Sequence, residues 1–345
     1  MNILNHLVPP PPIFTENQIL DLSSKVPSLR FLPQNSVHAT HTHKVYIITS
    51  ATMGTGLSLA KILYSLHSTI YIGSPCLSSY TTAVATITSQ HPTSKGVLHP
   101  FIADFSSPST IAPATASFLA AEYRLDVLFL DYFSTSSPAG NKSANGVDTE
   151  MNVYYLSSFL LVKLLSPLMS NIAGHFCHAN SSIRVVWASN LLASTPGNAI
   201  QLDNTGVPLS GDNRVGMYLL AYEFSRRQKQ AKANDHGLPI RNPHGVLHIS
   251  VNSETEIMRY MPATVRVVMD ALSRGPKYGA YTELYAGLAP VVEDGDFVVP
   301  WGRKGTVPAH VVESTMAKDG TTSVSARLYG WCEEQVTSFM DTMNR

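Results

Sequence analysis

Charge of one sign is what this chain most plainly lacks. Lys+Arg and Asp+Glu each number 24 in 345 residues, and charged residues make up only 14%. A sparse, balanced charge offers no basic footprint for nucleic acid or for an acidic membrane surface. Cysteine is scarce too: Cys76, Cys177 and Cys332 lie far apart without metal-like spacing, which suits a reducing compartment. Long apolar runs are also missing. The most apolar stretch, Tyr154–Met169, is interrupted by Ser157, Ser158, Lys163 and Pro167, so it reads as too short and too polar to span a bilayer. Met1–Ile13 has no positive segment and carries Pro9–Pro12, so it does not read as a signal peptide. Together these absences predict a soluble, cytoplasmic chain with no membrane or nucleic-acid partner.

What is present is apolar and alternating. Hydrophobic residues make up 44% of the chain, enough for a sizeable core. Strand-like runs, most of them continuously apolar and β-branched, occur at Val45–Thr49, Thr69–Gly73, Gly96–Asp104, Asp126–Phe133, Ile183–Ser189 and Gly245–Val251. They suit strands buried on both faces of a parallel sheet. Amphipathic stretches such as Leu57–Leu66, Ser109–Tyr123, Met151–Met169 and Val215–Gln230 lie between them. Strand, helix, strand at this spacing predicts an α/β, doubly wound, Rossmann-like single domain. Residues 1–43, rich in proline, serine and histidine, read as an irregular N-terminal extension to a domain spanning 44–345. Residues 252–345, with the Gly/Pro-rich Asp294–Pro308, read as a C-terminal lid segment.

The most informative segment is Lys44-Val-Tyr-Ile-Ile-Thr-Ser-Ala-Thr-Met-Gly-Thr-Gly56, an apolar strand entering a glycine turn and then a helix. Such a turn presents free N–H groups and the positive end of a helix dipole to a dinucleotide pyrophosphate. It resembles the Thr-Gly-x-x-x-Gly-x-Gly turn of short-chain dehydrogenases, with Ser50 where the first glycine belongs. Further segments resemble the same family in order. They are Phe14-Thr15-Glu16 with Asp21-Leu22-Ser23, Arg124–Phe129, Lys163–Leu168, Arg184–Ser189, Glu223–Arg227, Tyr278–Leu284 and Pro300–Arg303. The similarity covers almost the whole chain and is strongest to the long fungal members.

That resemblance implies a site in which a tyrosine passes a proton, a lysine four residues on lowers its pKa, a serine holds the carbonyl and an asparagine organises a water. Aligned from Glu223–Arg227, the tyrosine position falls on Ser210 and the lysine position on Arg214. None of the fifteen tyrosines is followed by lysine at the fourth residue. The asparagine position falls on Tyr154, and the serine survives as Ser189. The family's Asn-Asn-Ala-Gly reads Leu130-Asp131-Tyr132-Phe133. Pro75 replaces an arginine for the 2′-phosphate, and the Pro-Gly near the nicotinamide reads Ser253-Glu254. Gly54, Gly56 and Asp104 remain as a vestigial dinucleotide site.

The resulting expectation is a pocket lined by Asp131, Tyr132, Phe133, Tyr218 and Glu254, with Arg214, Ser189, Tyr154 and Ser210 as candidate catalytic groups. Arg214 and Ser210 share a helix face if the helix already begins at Ser210. A guanidinium there could give paired hydrogen bonds to a substrate carbonyl or carboxylate, or instead pair internally with Asp131 or Glu254. No cofactor is expected, residual NADP aside. The function expected is a non-redox isomerisation, dehydration, cyclisation or pericyclic step on a hydrophobic polyketide- or terpenoid-like molecule. The alternatives are a catalytically silent partner or scaffold and a divergent NADPH-dependent carbonyl reductase using Tyr154 or Tyr218 as acid. A homodimer would form through the helices Met151–Met169 and Val215–Gln230. His38, His41 and His43, like His175, Cys177 and His178, have no acidic partner in sequence, and no metal site is expected from either group.

Overall fold

The first strand, β1 (Val45–Ile48), shows why this sheet must be covered on both sides. All four residues are buried; Val45 and Ile47 enter one core layer, Tyr46 and Ile48 the other. The computed structural model describes residues 9–19, 22, 44–131, 142, 146–176, 183–190, 200–203, 206–210, 213–232, 244–247, 275–317 and 321–340. The further strands are β2 (Thr69–Ser74), β3 (Val97–Ile102), β4 (Val127–Leu130), β5 (Arg184–Asn190), β6 (Gln201–Leu202), β7 (Pro208–Ser210), β8 (His244–Leu247), β9 (Phe297–Val299) and β10 (Arg303–Lys304). Among the described residues, eight strands form one sheet in the order β3-β2-β1-β4-β5-β8-β9-β10, parallel except for β10. The chain order reverses between β1 and β4. In doubly wound sheets that crevice, at the carboxyl ends of the strands, is where ligands bind.

The helices are α1 (Gly54–Ser65), α2 (Leu77–Gln90), α3 (Ile111–Ala121), α4 (residues 149–176), α5 (Asn213–Lys232), α6 (Pro276–Leu288), α7 (Ala309–Thr315) and α8 (Val324–Met340). One core layer packs α3, α4, α5 and α8 against the sheet, and the opposite layer packs α1, α2 and α6. The expected parallel α/β fold is therefore present. Helix α2 is less legible in sequence, because Leu77–Gln90 is rich in serine and threonine, poor helix formers. Its hydroxyls bond back along the helix: Thr81 to Leu77 O, Thr82 to Ser78 O, Thr86 to Thr82 O and Thr88 to Val84 O, all at 2.9–3.1 Å. That leaves no donor to compete with the helical backbone.

Buried charge ties the layers together. Arg124 grips Asp126 through both carboxylate oxygens at 2.6 and 2.7 Å, and Asp126 accepts the Val45 N–H at 2.9 Å, joining the starts of β1 and β4. Arg184, 2% exposed, donates to Ala286 O and Ala289 O at 2.7 and 2.8 Å. It thereby satisfies carbonyls left over at the end of α6.

The C-terminal segment does more than cap the sheet. Within the described residues, α6 lies in the core layer over α1, β9 and β10 extend the sheet edge, and α8 crosses α4 and α5. Tyr281 and Tyr285 accordingly belong to the core, at 7% and 8% exposure. Met258–Met261 lies outside the described residues. The segment Thr149–Ala173 is long and apolar enough by composition to cross a membrane, but most of it is buried against the sheet and helices of this fold.

Candidate functional site

The glycine turn hangs from the sheet by backbone bonds. Thr49 N–H donates to Phe129 O at 3.1 Å, its hydroxyl donates to Asp131 O at 2.6 Å, and Ala51 N–H donates to Gly73 O at 3.1 Å. The turn is thus fixed to β4 on one side and β2 on the other, at the strand-order reversal. Two glycines are required by geometry. Gly54 sits at φ +58°, a region other residues rarely adopt. A β-carbon on Gly56 would stand 1.9 Å from Ser50 O. Ser50 has no such constraint: among the described residues, His67 is the one non-glycine with positive φ. The backbone therefore tolerates serine where the family has its first glycine.

Helix α1 begins here with Met53 at its N-cap, which makes no side-chain hydrogen bond to the first turn. The N–H groups of a helix start and the dipole make this end suited to an anion. The residues of the turn fit a dinucleotide pyrophosphate in shape. Its charge is less simple. Asp131, 5% exposed, carries Oδ2 only 2.9 Å from where a Gly56 β-carbon would stand, so a carboxyl group lies behind the turn. Asp104, at the end of β3, is exposed and uses Oδ1 locally, accepting from Ser106 N–H at 2.9 Å and Ser106 Oγ at 2.7 Å. Cys76, at the end of β2, is exposed; hydrogen bonds from the Ser78 and Ser79 hydroxyls lower its thiol to about 7.

The substrate side is built on α4. Asn152–Ser157 is a π-helical turn inside that helix, flanked by Thr149–Met151 and Ser158–Phe176. Such turns recur at functional sites. Asn152 donates to Ser106 O at 3.1 Å and Ser157 donates to Phe105 O at 2.7 Å, which anchors the turn to the loop after β3. The Ser158 hydroxyl donates to Val153 O at 3.0 Å at the end of the π-turn. Tyr154 sits on this turn at 6% exposure. Nothing in the residue types announces the π-turn, and buried Asn152 was not singled out by sequence.

The backbone places Ser189 near the carboxyl end of β5, in register with Val246 of β8. Arg214 is in the first turn of α5, which packs on β5 and on the π-turn carrying Tyr154. Ser210 does not share a helix with Arg214: it ends β7, paired with Gln201 of β6, and α5 starts only at Asn213. The hairpin supplies Ser210 with sheet partners, which displaces the helix start by a turn. Tyr218 packs its ring edge-on against Phe297 at 6.0 Å. It lines a cavity of about 360 Å³ with Ser225, Lys229 and Asp294, and this cavity extends to the amino edge of the sheet, since Asp294 precedes β9. Burial and neighbouring Tyr222 push the Tyr218 phenol up to about 12. Tyr132, Phe133, Glu254 and His38, His41, His43, Cys177 and His178 lie outside the described residues; no metal-binding cluster occurs among those described.

A glycine turn at the order reversal of a parallel sheet, with a helix N-terminus opening on it, is the frame of a dinucleotide fold, and comparison with known proteins is consistent with it. A short-chain dehydrogenase/reductase of Phomopsis amygdali is 28% identical over 357 aligned positions, covering 98% of this chain and 97% of that one. The chain resembles the fungal short-chain dehydrogenases/reductases. A second such protein, pkfC of Emericella nidulans, is 28% identical and covers 86% of this chain and 94% of its own. Among solved structures, the RhlG/NADP active-site complex of Pseudomonas aeruginosa superposes with a TM-score of 0.54 at 16% identity, over 74% of this chain and 93% of that one. At that identity the likeness concerns the short-chain dehydrogenase/reductase fold alone. No family model matches the chain.

Proposed function

We propose that the chain is an oxidoreductase of the short-chain dehydrogenase/reductase type that binds a nicotinamide dinucleotide at the glycine turn and acts on a hydrophobic small molecule of polyketide or terpenoid character. The observation that carries this reading is the glycine turn at the start of α1, with Gly54 at φ +58° and Gly56 pressed against Ser50 O. Gly54, Gly56 and the first N–H groups of α1 would hold the pyrophosphate, and exposed Asp104 lies at the end of β3 for the adenosine end. When bound, the dinucleotide supplies a hydride acceptor or donor. The chain's own residues must orient the substrate and handle a proton. The family's Tyr-x-x-x-Lys pair is absent from the sequence, and a Tyr218 phenol at about 12 is poorly matched to neutral pH. Tyr154, on the π-turn, is the phenol we assign to proton transfer, with Ser189 and Arg214 assigned to the substrate carbonyl.

The absence of the pair favours a second reading, in which the same pocket promotes a non-redox isomerisation, dehydration, cyclisation or pericyclic step by holding a flexible substrate in a reactive conformation. Titration of the purified chain with NADPH and with NADH by fluorescence and calorimetry separates the two. Stoichiometric binding at micromolar concentration is the expected result. Failure of both to bind at that concentration overturns the oxidoreductase reading and leaves the non-redox one. Arg214→Gln should fold as wild type and lose about tenfold or more in kcat/KM, or ~1.4 kcal/mol. Unchanged turnover removes Arg214 from the site.

A further inference from the structure

Helix α6 presents one carboxyl group on a face that otherwise carries glycine. Gly279, Glu283 and Gly287 are spaced by four residues and so share a helix face. A methyl group at Gly279 would come 2.8 Å from Thr55 Oγ1 of α1, and one at Gly287 would come 2.5 Å from Phe129 Cζ of β4. Glu283 is thereby held between the first turn of α1 and the end of β4. It is 0% exposed, and neither of its carboxyl oxygens has a hydrogen-bond partner among the described residues. Asp131, which follows β4, brings the second carboxyl group into the same region behind Gly56.

Among the described residues, the elements packed against α6 carry few charged groups. Of the elements packed against α6, α1 carries Lys61 and Tyr64, β5 carries Arg184, and β8 opens with His244, in register with Trp187 and so level with Leu130 at the end of β4. Arg184 is committed to the carbonyls of Ala286 and Ala289 at the far end of α6. Tyr46 of β1 is buried in the same layer. The ionised group that acts on Glu283 is Asp131; burial first, and that like charge second, drive Glu283 well above the ordinary carboxylate value. Two carboxylates in one dry site do not both ionise near neutral pH.

We propose that Asp131 and Glu283 carry a single proton as a pair at neutral pH, and that this proton positions α6 against the glycine turn and keeps the turn receptive to anions. Glu283 is a positioning residue: it acts through Asp131 and the turn, and on no reacting atom. Loss of the proton would place two negative charges behind the N-terminus of α1, opposing a bound pyrophosphate. This last consequence rests on the dinucleotide reading of the turn; the proton itself does not.

The test uses the full chain. Infrared spectra in D2O should show a protonated carboxylic acid at pH 7 that is missing in Glu283→Gln and that titrates away as pH rises. Because the folded value is raised, the proton's contribution to stability is fully present below about 4.5 and is lost as pH rises toward the folded value. Relative to Glu283→Gln, the wild-type folding equilibrium should therefore weaken by up to about tenfold per pH unit across that window. NADPH affinity should fall at least about tenfold with alkaline pH in wild type and stay level in Glu283→Gln. Absence of the acid band at pH 7, or the same pH slope in both proteins, overturns the proposal. If Glu283→Gln fails to fold, Asp131→Asn decides: the midpoint of the acid band must drop, and an unchanged midpoint overturns the pairing. If NADPH fails to bind at any pH, the dinucleotide reading falls while the infrared arm still decides the proton.

Discussion

Gly216 of α5 lies against the ring of Tyr155 on the π-turn, so closely that a β-carbon would stand 2.3 Å from Cε1 and 2.5 Å from the hydroxyl oxygen. Tyr155 is fully buried, so its ring cannot swing aside. The glycine therefore sets how near α5 approaches the turn that carries Tyr154.

Gly216→Ala should overpack this contact and destabilise the chain by about 1–3 kcal/mol. Thermal denaturation would show a lowered Tm. Activity should fall more than stability if Tyr154 is displaced with the turn. A Tm equal to that of wild type would mean that the helices separate freely.

Acid should attack α5 through Glu223. Its side chain is 0% exposed, and it accepts from Arg226 at 2.5 and 2.9 Å and from Arg227 at 2.9 Å. Burial alone would raise this carboxyl; the two guanidinium groups outweigh it and hold the value below 4.5. A depressed value means that the stabilisation is present above about 4.5 and lost as pH falls through the folded value. Melting curves should drop on acidification below about pH 4.5 in wild type, and Glu223→Gln should lose that part of the drop while being less stable at pH 7.

Cys76 should react with iodoacetamide with a midpoint near pH 7, because Ser78 and Ser79 donate to its sulfur at 3.1 Å each. The thiolate predominates above that pH and the thiol below it. Alanine at both serines should move the midpoint up toward 9, the ordinary value. Mass spectrometry of the modified peptide reads the rate, and an unmoved midpoint would show that the hydroxyls play no part.

Pairing of two copies through α4 and α5 should not occur while α8 is in place. Phe159 of α4 and Phe224 of α5 each meet Tyr329 of α8, at 4.8 and 5.1 Å between ring centres. Arg227 stacks over the same tyrosine at 3.9 Å, and Lys163 binds Glu333 at 2.7 Å. Light scattering of the full chain should show no dimer that is sensitive to charge reversal at Arg227 or Lys163. Truncation before residue 321 should expose this apolar face and cause self-association. A full-length dimer cross-linked between copies of α4 would contradict the arrangement.

The sequence by itself determined the parallel sheet. Runs such as Val45–Ile48 and Val127–Leu130 are apolar at every position, and only burial on both faces accounts for that. It also determined the glycine turn, because Gly54 and Gly56 answer a local backbone demand that a reader can infer from spacing. Tertiary structure alone decided the rest. The π-turn around Tyr154 exists because Asn152 and Ser157 bond to the distant loop at Phe105–Ser106. Ser210 is a strand residue because Gln201 pairs with it. Glu283 reads in sequence as an ordinary helix carboxylate. It becomes a buried neighbour of Asp131 only because Gly279 and Gly287, on either side of it, let α6 settle against Thr55 and Phe129. Local pattern carries the demands of backbone and burial; which side chains then face each other depends on contacts between separate elements, from the Gln201–Ser210 hairpin to the approach of Gly279 to Thr55, and no periodicity encodes those.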